Sequence, residues 1–129
     1  MNKKIYIFVY GTLKKGTRQH NRLMKNAEFV GIGTTTTKYV MCNYGYPMIF
    51  EDKNGHIIKG EVYKIPISDL YILDRYEGYP SLYKRKIEKI RIGNKEMDAY
   101  IYYNTDRRHL NCKYTVEPNI YGELEWQIA

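Results

Sequence analysis

Two short stretches of this chain hold residue types that chemistry requires. The first, Val9-Tyr10-Gly11-Thr12-Leu13-Lys14-Lys15-Gly16, leaves an apolar run through a glycine and can offer backbone N–H groups to an anion. The second, Asp74-Arg75-Tyr76-Glu77-Gly78-Tyr79-Pro80-Ser81-Leu82-Tyr83-Lys84-Arg85, sets one carboxylate, Glu77, among tyrosines. Partial burial against Tyr76, Tyr79 and Tyr83 would raise its pKa toward the range of a general acid or base, while tyrosine hydroxyls or Arg85 would pull it back down. Each stretch has a plain alternative: a turn closing a strand, and a surface glutamate ending a helix. Taken together they suggest a small enzyme that holds an anionic group at one segment and moves a proton at the other.

Other chemistries find less support. The glycine spacing from Gly11 to Gly16 imitates a phosphate loop, but Thr17 and Arg18 stand where Lys and Ser/Thr are required, and G-x-G-x-x-G is absent. No G-x-S-x-G marks a nucleophilic serine. Glu51 and Asp52 fall in an expected hairpin loop, Glu61 in a strand, and Asp74 at an expected solvent-exposed position, so no second acid completes a glycosidase pair. His20, His56 and His109 are scattered, and Cys42 and Cys112 lie far apart without metal-ligand spacing. No metal site is expected, and the cysteines are expected to be free thiols in a reducing compartment.

The elements that must position these residues can be read from periodicity. Residues 5–10 alternate aliphatic and aromatic side chains, the pattern of a central strand apolar on both faces, which Gly11 ends. A short helix is expected over 19–25, with Leu23 and Met24 as core contacts, followed by an extended region over 29–41. Tyr44-Gly45-Tyr46-Pro47 reads as a turn, and 51–55 as a hairpin loop leading into a strand over 57–65. Ser68 is the expected cap of a helix that carries Leu70, Leu73 and Tyr76 at helical spacing and stops at Gly78 and Pro80. Strands over 83–92 and 96–103 form a hairpin about Gly93-Asn94, with Met97, Ala99, Ile101 and Tyr103 on one face. Residues 104–129 give no clear path, and Tyr121, Leu124 and Trp126 are their candidate anchors. The expected whole is one domain over 1–129, an α+β fold with a compact, mixed, barrel-like β-sheet and one or two short flanking helices.

The chain has 129 residues and a formal charge of +7, with 21 basic against 14 acidic side chains. Basic clusters at 84–95 and 107–109, together with 15 tyrosines, raise the possibility of nucleic-acid binding. Most of those tyrosines lie in strand-like segments where rings pack on half-buried sheet positions, so nucleic acid is disfavoured as a partner. No apolar run reaches the length of a membrane helix. The basic start, Met1-Asn2-Lys3-Lys4, lacks a cleavable leader pattern, so a cytoplasmic location is expected.

On Tyr10-Gly11-Thr12-Leu13, Lys14-Lys15-Gly16, His20, the run from Leu73 to Pro80, and Tyr83-Lys84-Arg85, the chain resembles the gamma-glutamylcyclotransferase-like family. Within it the resemblance is to the branch of gamma-glutamylamine cyclotransferases and related small bacterial proteins. It implies the family's compact mixed β-barrel, Tyr10, Gly11, Thr12 and Leu13 as the substrate-binding loop, and Glu77 as the catalytic glutamate. Tyr6, His20, Tyr83 and Arg85 are candidate supporting residues. The implied reaction needs no cofactor. The substrate's α-amine attacks its own γ-carbonyl and closes 5-oxoproline, and the amine of the γ-amide leaves. Two alternatives stand beside it: a non-catalytic small-molecule binder of the same fold, and a basic RNA-binding module. The leaving amine and the oligomeric state are left open.

Overall fold

The computed structural model describes residues 3–128. The first strand, β1 (Lys4–Val9), pairs antiparallel with β5 (Ile57–Pro66) and parallel with β7 (Lys95–Tyr103). From β7 the sheet continues through β6 (Lys84–Ile92) and β2 (Glu28–Thr35) back to β5, so five strands close on themselves in the order β1-β7-β6-β2-β5. Closure removes the free edges that an open sheet would expose. A separate two-stranded sheet, β3 (Tyr39–Asn43) with β4 (Pro47–Glu51), packs beside the barrel, and β8 (Glu123–Leu124) joins β5 in parallel at Ile57 and Ile58.

The two apolar faces of β1 explain its central place. Ile5, Ile7 and Val9 pack with Leu70 and Leu73 of helix α2 (Ile67–Glu77). Phe8 turns the other way, into a cluster with Ile58, Val62, Ile90, Ala99 and Ile101 inside the barrel. The hairpin of β6 and β7 about Gly93-Asn94 forms as the spacing predicts, with Ala99 and Ile101 buried. The observed fold is α+β and barrel-like, in agreement with the sequence reading.

Several local expectations are corrected. Helix α1 (Arg18–Leu23) is shorter than the expected 19–25, because Thr17 caps it by accepting the His20 N–H at 3.0 Å and Met24 already ends it, buried. The extended region over 29–41 breaks after Thr35, where side chains take over the ladder: the Thr35 hydroxyl donates to the Thr37 carbonyl and the Thr36 hydroxyl to that of Lys89. Residues 51–55 do not connect a hairpin. β4 pairs with β3 across the Gly45 turn, whose φ is +85°, and the 51–55 segment instead crosses to β5 in the other sheet.

At the start of α2, Pro66 rather than Ser68 occupies the cap, since β5 runs straight into the helix and the Lys3 carbonyl accepts the Ile67 N–H at 2.9 Å. Gly78 ends the helix as expected, in the left-handed conformation with φ 69°. Asp74, expected in solvent, is buried beside Leu70 and Leu73 because Arg85 neutralises it from β6. Cys42 and Cys112 are not free thiols: the fold brings their Cα atoms to 6.0 Å and they form a disulfide. In the C-terminal stretch Leu124 is buried and Trp126 packs on the barrel cluster, but Tyr121 is 77% exposed and anchors nothing.

Candidate active site

One cavity of about 400 Å³ opens where β1 ends and α2 ends. The loop after β1 brings Tyr10, Gly11, Thr12 and Leu13 to it, and the last turn of α2 brings Glu77. Further wall residues not singled out from the sequence include Tyr46 from the β3–β4 turn, Pro47 at the start of β4, Tyr102 from β7, Leu82, and Gln19 of α1. Pro47 could not be foreseen, because it reaches the site only through the β3–β4 pairing. Tyr102 was hidden by period-two spacing that drew attention to the opposite face of its strand.

The loop is arranged by its carbonyls. Gly11 O accepts the Lys14 N–H at 3.0 Å, Thr12 O accepts the Thr17 hydroxyl at 2.6 Å, and Leu13 O lies 2.9 Å from His20 Nδ1. A carbonyl is an acceptor, so the His20 proton sits on Nδ1. A trans peptide points each N–H away from the preceding carbonyl, which turns the Thr12 and Leu13 N–H groups away from these internal donors. Among the described residues, the N–H groups of Gly11, Thr12 and Leu13 have no protein acceptor. They are left without a partner in a segment that lines the cavity. Gly11 is required by close approach: a Cβ there would collide with the Pro47 ring.

The loop is also braced from outside. Glu61 Oε1 accepts the Lys15 N–H and the Tyr63 hydroxyl, each at 2.9 Å, and the buried Lys14 ammonium donates to the Trp126 carbonyl at 2.7 Å. Removal from water holds the Lys14 pKa below its ordinary value. Thr12 Oγ1 and the Tyr76 hydroxyl, 3.0 Å apart, tie the loop to α2.

Glu77 has no hydrogen-bond or ion-pair partner among the described residues, and burial pushes its carboxyl up to about 8 from an ordinary 4.5. Such a group exchanges a proton readily near neutrality. Tyr83 lines the cavity, but its hydroxyl donates to the Pro47 carbonyl at 2.7 Å, and burial first, then the Glu77 charge, raises its pKa. The Tyr10 hydroxyl is likewise committed, to the Tyr102 carbonyl at 2.7 Å. The structure places His20 behind the loop, against the Tyr63 ring, and Tyr6 near Lys64, both away from the cavity lining. Arg85 stands outside the lining too, paired with Asp74.

The fold is a closed five-stranded barrel, and one cavity brings together the loop after β1 and the unpartnered Glu77 carboxyl at the end of α2. The family model described as "Gamma-glutamyl cyclotransferase, AIG2-like" matches residues 7–124, and the chain belongs to that family. A protein of Methanocaldococcus jannaschii, provisionally named a gamma-glutamylcyclotransferase, is 36% identical over 119 residues, covering 92% of this chain and 96% of the relative. The Rattus norvegicus gamma-glutamylaminecyclotransferase is 33% identical over 95 residues, covering 67% of this chain and 64% of the rat protein. The crystal structure of an AIG2-like protein from Mus musculus superposes with a TM-score of 0.76 over 98% of this chain and 97% of the mouse chain, at 24% identity, and so shares the fold.

Proposed function

We propose that this protein is a gamma-glutamyl cyclotransferase, releasing 5-oxoproline and a free amine from a gamma-glutamyl amine or peptide, with Glu77 as its proton carrier. The observation that carries this reading is the meeting of an unpartnered, proton-exchanging carboxyl and free backbone donors in one cavity. The N–H groups of Gly11, Thr12 and Leu13 take the substrate's α-carboxylate, which sets the α-amine beside Glu77. Glu77 accepts a proton from that amine as the nitrogen attacks the γ-carbonyl carbon. The C–N bond of the γ-amide then breaks, and Glu77 returns the proton to the departing nitrogen. Ring closure within one bound molecule gains the advantage of a held reactant, so no protein nucleophile is needed.

The RNA-binding alternative loses support on β6, where four of the five cations, Arg85, Lys86, Lys89 and Arg91, each face a carboxylate partner: Asp74, Glu51, Asp98 and Glu96. Among the described residues no helix is long and apolar enough to cross a membrane.

The test is incubation with a panel of gamma-glutamyl amines and gamma-glutamyl amino acids, following 5-oxoproline by mass. Product from the unmodified protein and none from a folded Glu77→Gln variant is the expected result. Near-normal turnover in the variant would remove Glu77 from the reaction. No product from any compound would favour the non-catalytic binder.

A further inference from the structure

Glu77 sits on the last turn of α2, and helix ends fray unless something outside the helix holds them. Three residues before it, the buried Asp74 carboxylate accepts a two-pronged hydrogen bond from Arg85 of β6: Nε to Oδ1 at 2.8 Å and Nη2 to Oδ2 at 3.1 Å. Two residues after it, the Tyr79 ring lies 4.4 Å from the same guanidinium carbon, with the Tyr100 ring at 5.4 Å. Asp74 Oδ1 also accepts the Tyr102 hydroxyl at 2.7 Å, and Tyr102 is a wall of the cavity. One guanidinium therefore grips the chain on both sides of Glu77. A bidentate fork stacked on an aromatic ring is a geometry that lysine cannot reproduce.

We infer that Arg85 is the positioning residue for Glu77, fixing the last turn of α2 so that its carboxyl meets the substrate, and cancelling the Asp74 charge one helical turn away. The inference rests on the proposal that Glu77 carries the proton. The titratable side chains that face Glu77 are phenols: Tyr76 on α2, Tyr10 from the loop, Tyr46 from the β3–β4 turn, Tyr83 ahead of β6 and Tyr102 on β7. Asp74 and Arg85 supply the charges behind that wall. With Arg85 gone, the Asp74 carboxylate opposes ionisation of Glu77 and raises its pKa further.

The experiment compares Arg85→Gln, Arg85→Lys and the double variant Asp74→Asn/Arg85→Gln with the unmodified protein. One readout is kcat and KM on a productive gamma-glutamyl amine. The other is the carboxyl titration of Glu77 by carbon NMR without substrate, its resonance assigned by loss in Glu77→Gln. Arg85→Gln is expected to lower kcat about tenfold or more, with a smaller change in KM, because displacement of a reacting group is costly. Its Glu77 should titrate at higher pH than in the unmodified protein. Arg85→Lys and the double variant should return the titration to its original position without restoring kcat. An unchanged titration and kcat in Arg85→Gln would overturn the inference, as would a loss of rate that only follows the folded fraction measured by circular dichroism. If Arg85→Gln does not fold, Arg85→Lys decides: a fall in kcat supports the clamp and full activity refutes it. If the unmodified protein makes no 5-oxoproline, the functional reading fails, and the titration alone decides whether Arg85 governs Glu77.

Discussion

Glu77 ionises against its surroundings, and the sign of the effect on stability follows. In the unfolded chain the carboxyl loses its proton near its ordinary 4.5, whereas the folded protein holds the proton up to about 8. Between those values the folded state binds more protons, so stability falls as pH rises through that window and levels off above it. Glu77→Gln cannot ionise and should escape the decline. Its gain in denaturant midpoint over the unmodified protein is expected to be larger at pH 8.5 than at pH 5, and equal gains would mean that the carboxyl titrates normally. Under the proposed mechanism activity runs the other way, since the carboxylate must be present to accept a proton: kcat/KM is expected to climb toward a plateau above about pH 8.

At the scale of elements, the disulfide joins β3 to the C-terminal stretch. Beyond it the chain runs antiparallel to β3, with Asn43 N–H donating to Tyr114 O and Val116 N–H to Met41 O, each at 2.9 Å. The bridge spans 70 positions, and closing so long a loop in the unfolded chain is worth roughly 4 kcal/mol in the entropic picture. A Cys42→Ser/Cys112→Ser protein should therefore melt several degrees lower, and reductant should lower the unmodified protein to match while leaving the variant unmoved. No response to reductant would show that the thiols stay apart in solution. This bridge marks where sequence reading ran out. β1, the β6–β7 hairpin and the Gly78 stop were legible because alternation and a left-handed glycine are local signals. The partner of Cys42, the burial of Asp74 and the pairing of β4 with β3 were not, since each depends on segments brought together from a distance. The same division holds for the candidate site: Gly11 and Glu77 stand at local punctuation, whereas Pro47 and Tyr102 reach the cavity only through the tertiary fold.

Seen whole, the molecule divides its tyrosines between surface and interior, and five of the fifteen are buried. Tyr10, Tyr39, Tyr63, Tyr83 and Tyr102 are buried, and each hydroxyl has an acceptor: the Tyr102 carbonyl, Glu88, Glu61, the Pro47 carbonyl and Asp74 in turn. A tyrosine-rich basic chain, whose sequence already disfavours nucleic acid as a partner, thus keeps these five rings for a core pinned by polar ends. Burial raises the pKa of all five phenols above the ordinary 10. The native barrel consequently hides five of its fifteen tyrosines from hydroxide. In an alkaline titration followed by phenolate absorbance near 295 nm, these five should stay dark until the barrel opens and then ionise together, in step with the loss of circular dichroism. The upward and downward scans would then trace different paths if refolding lags, turning the protein's own ultraviolet colour into a gauge of whether its interior is closed.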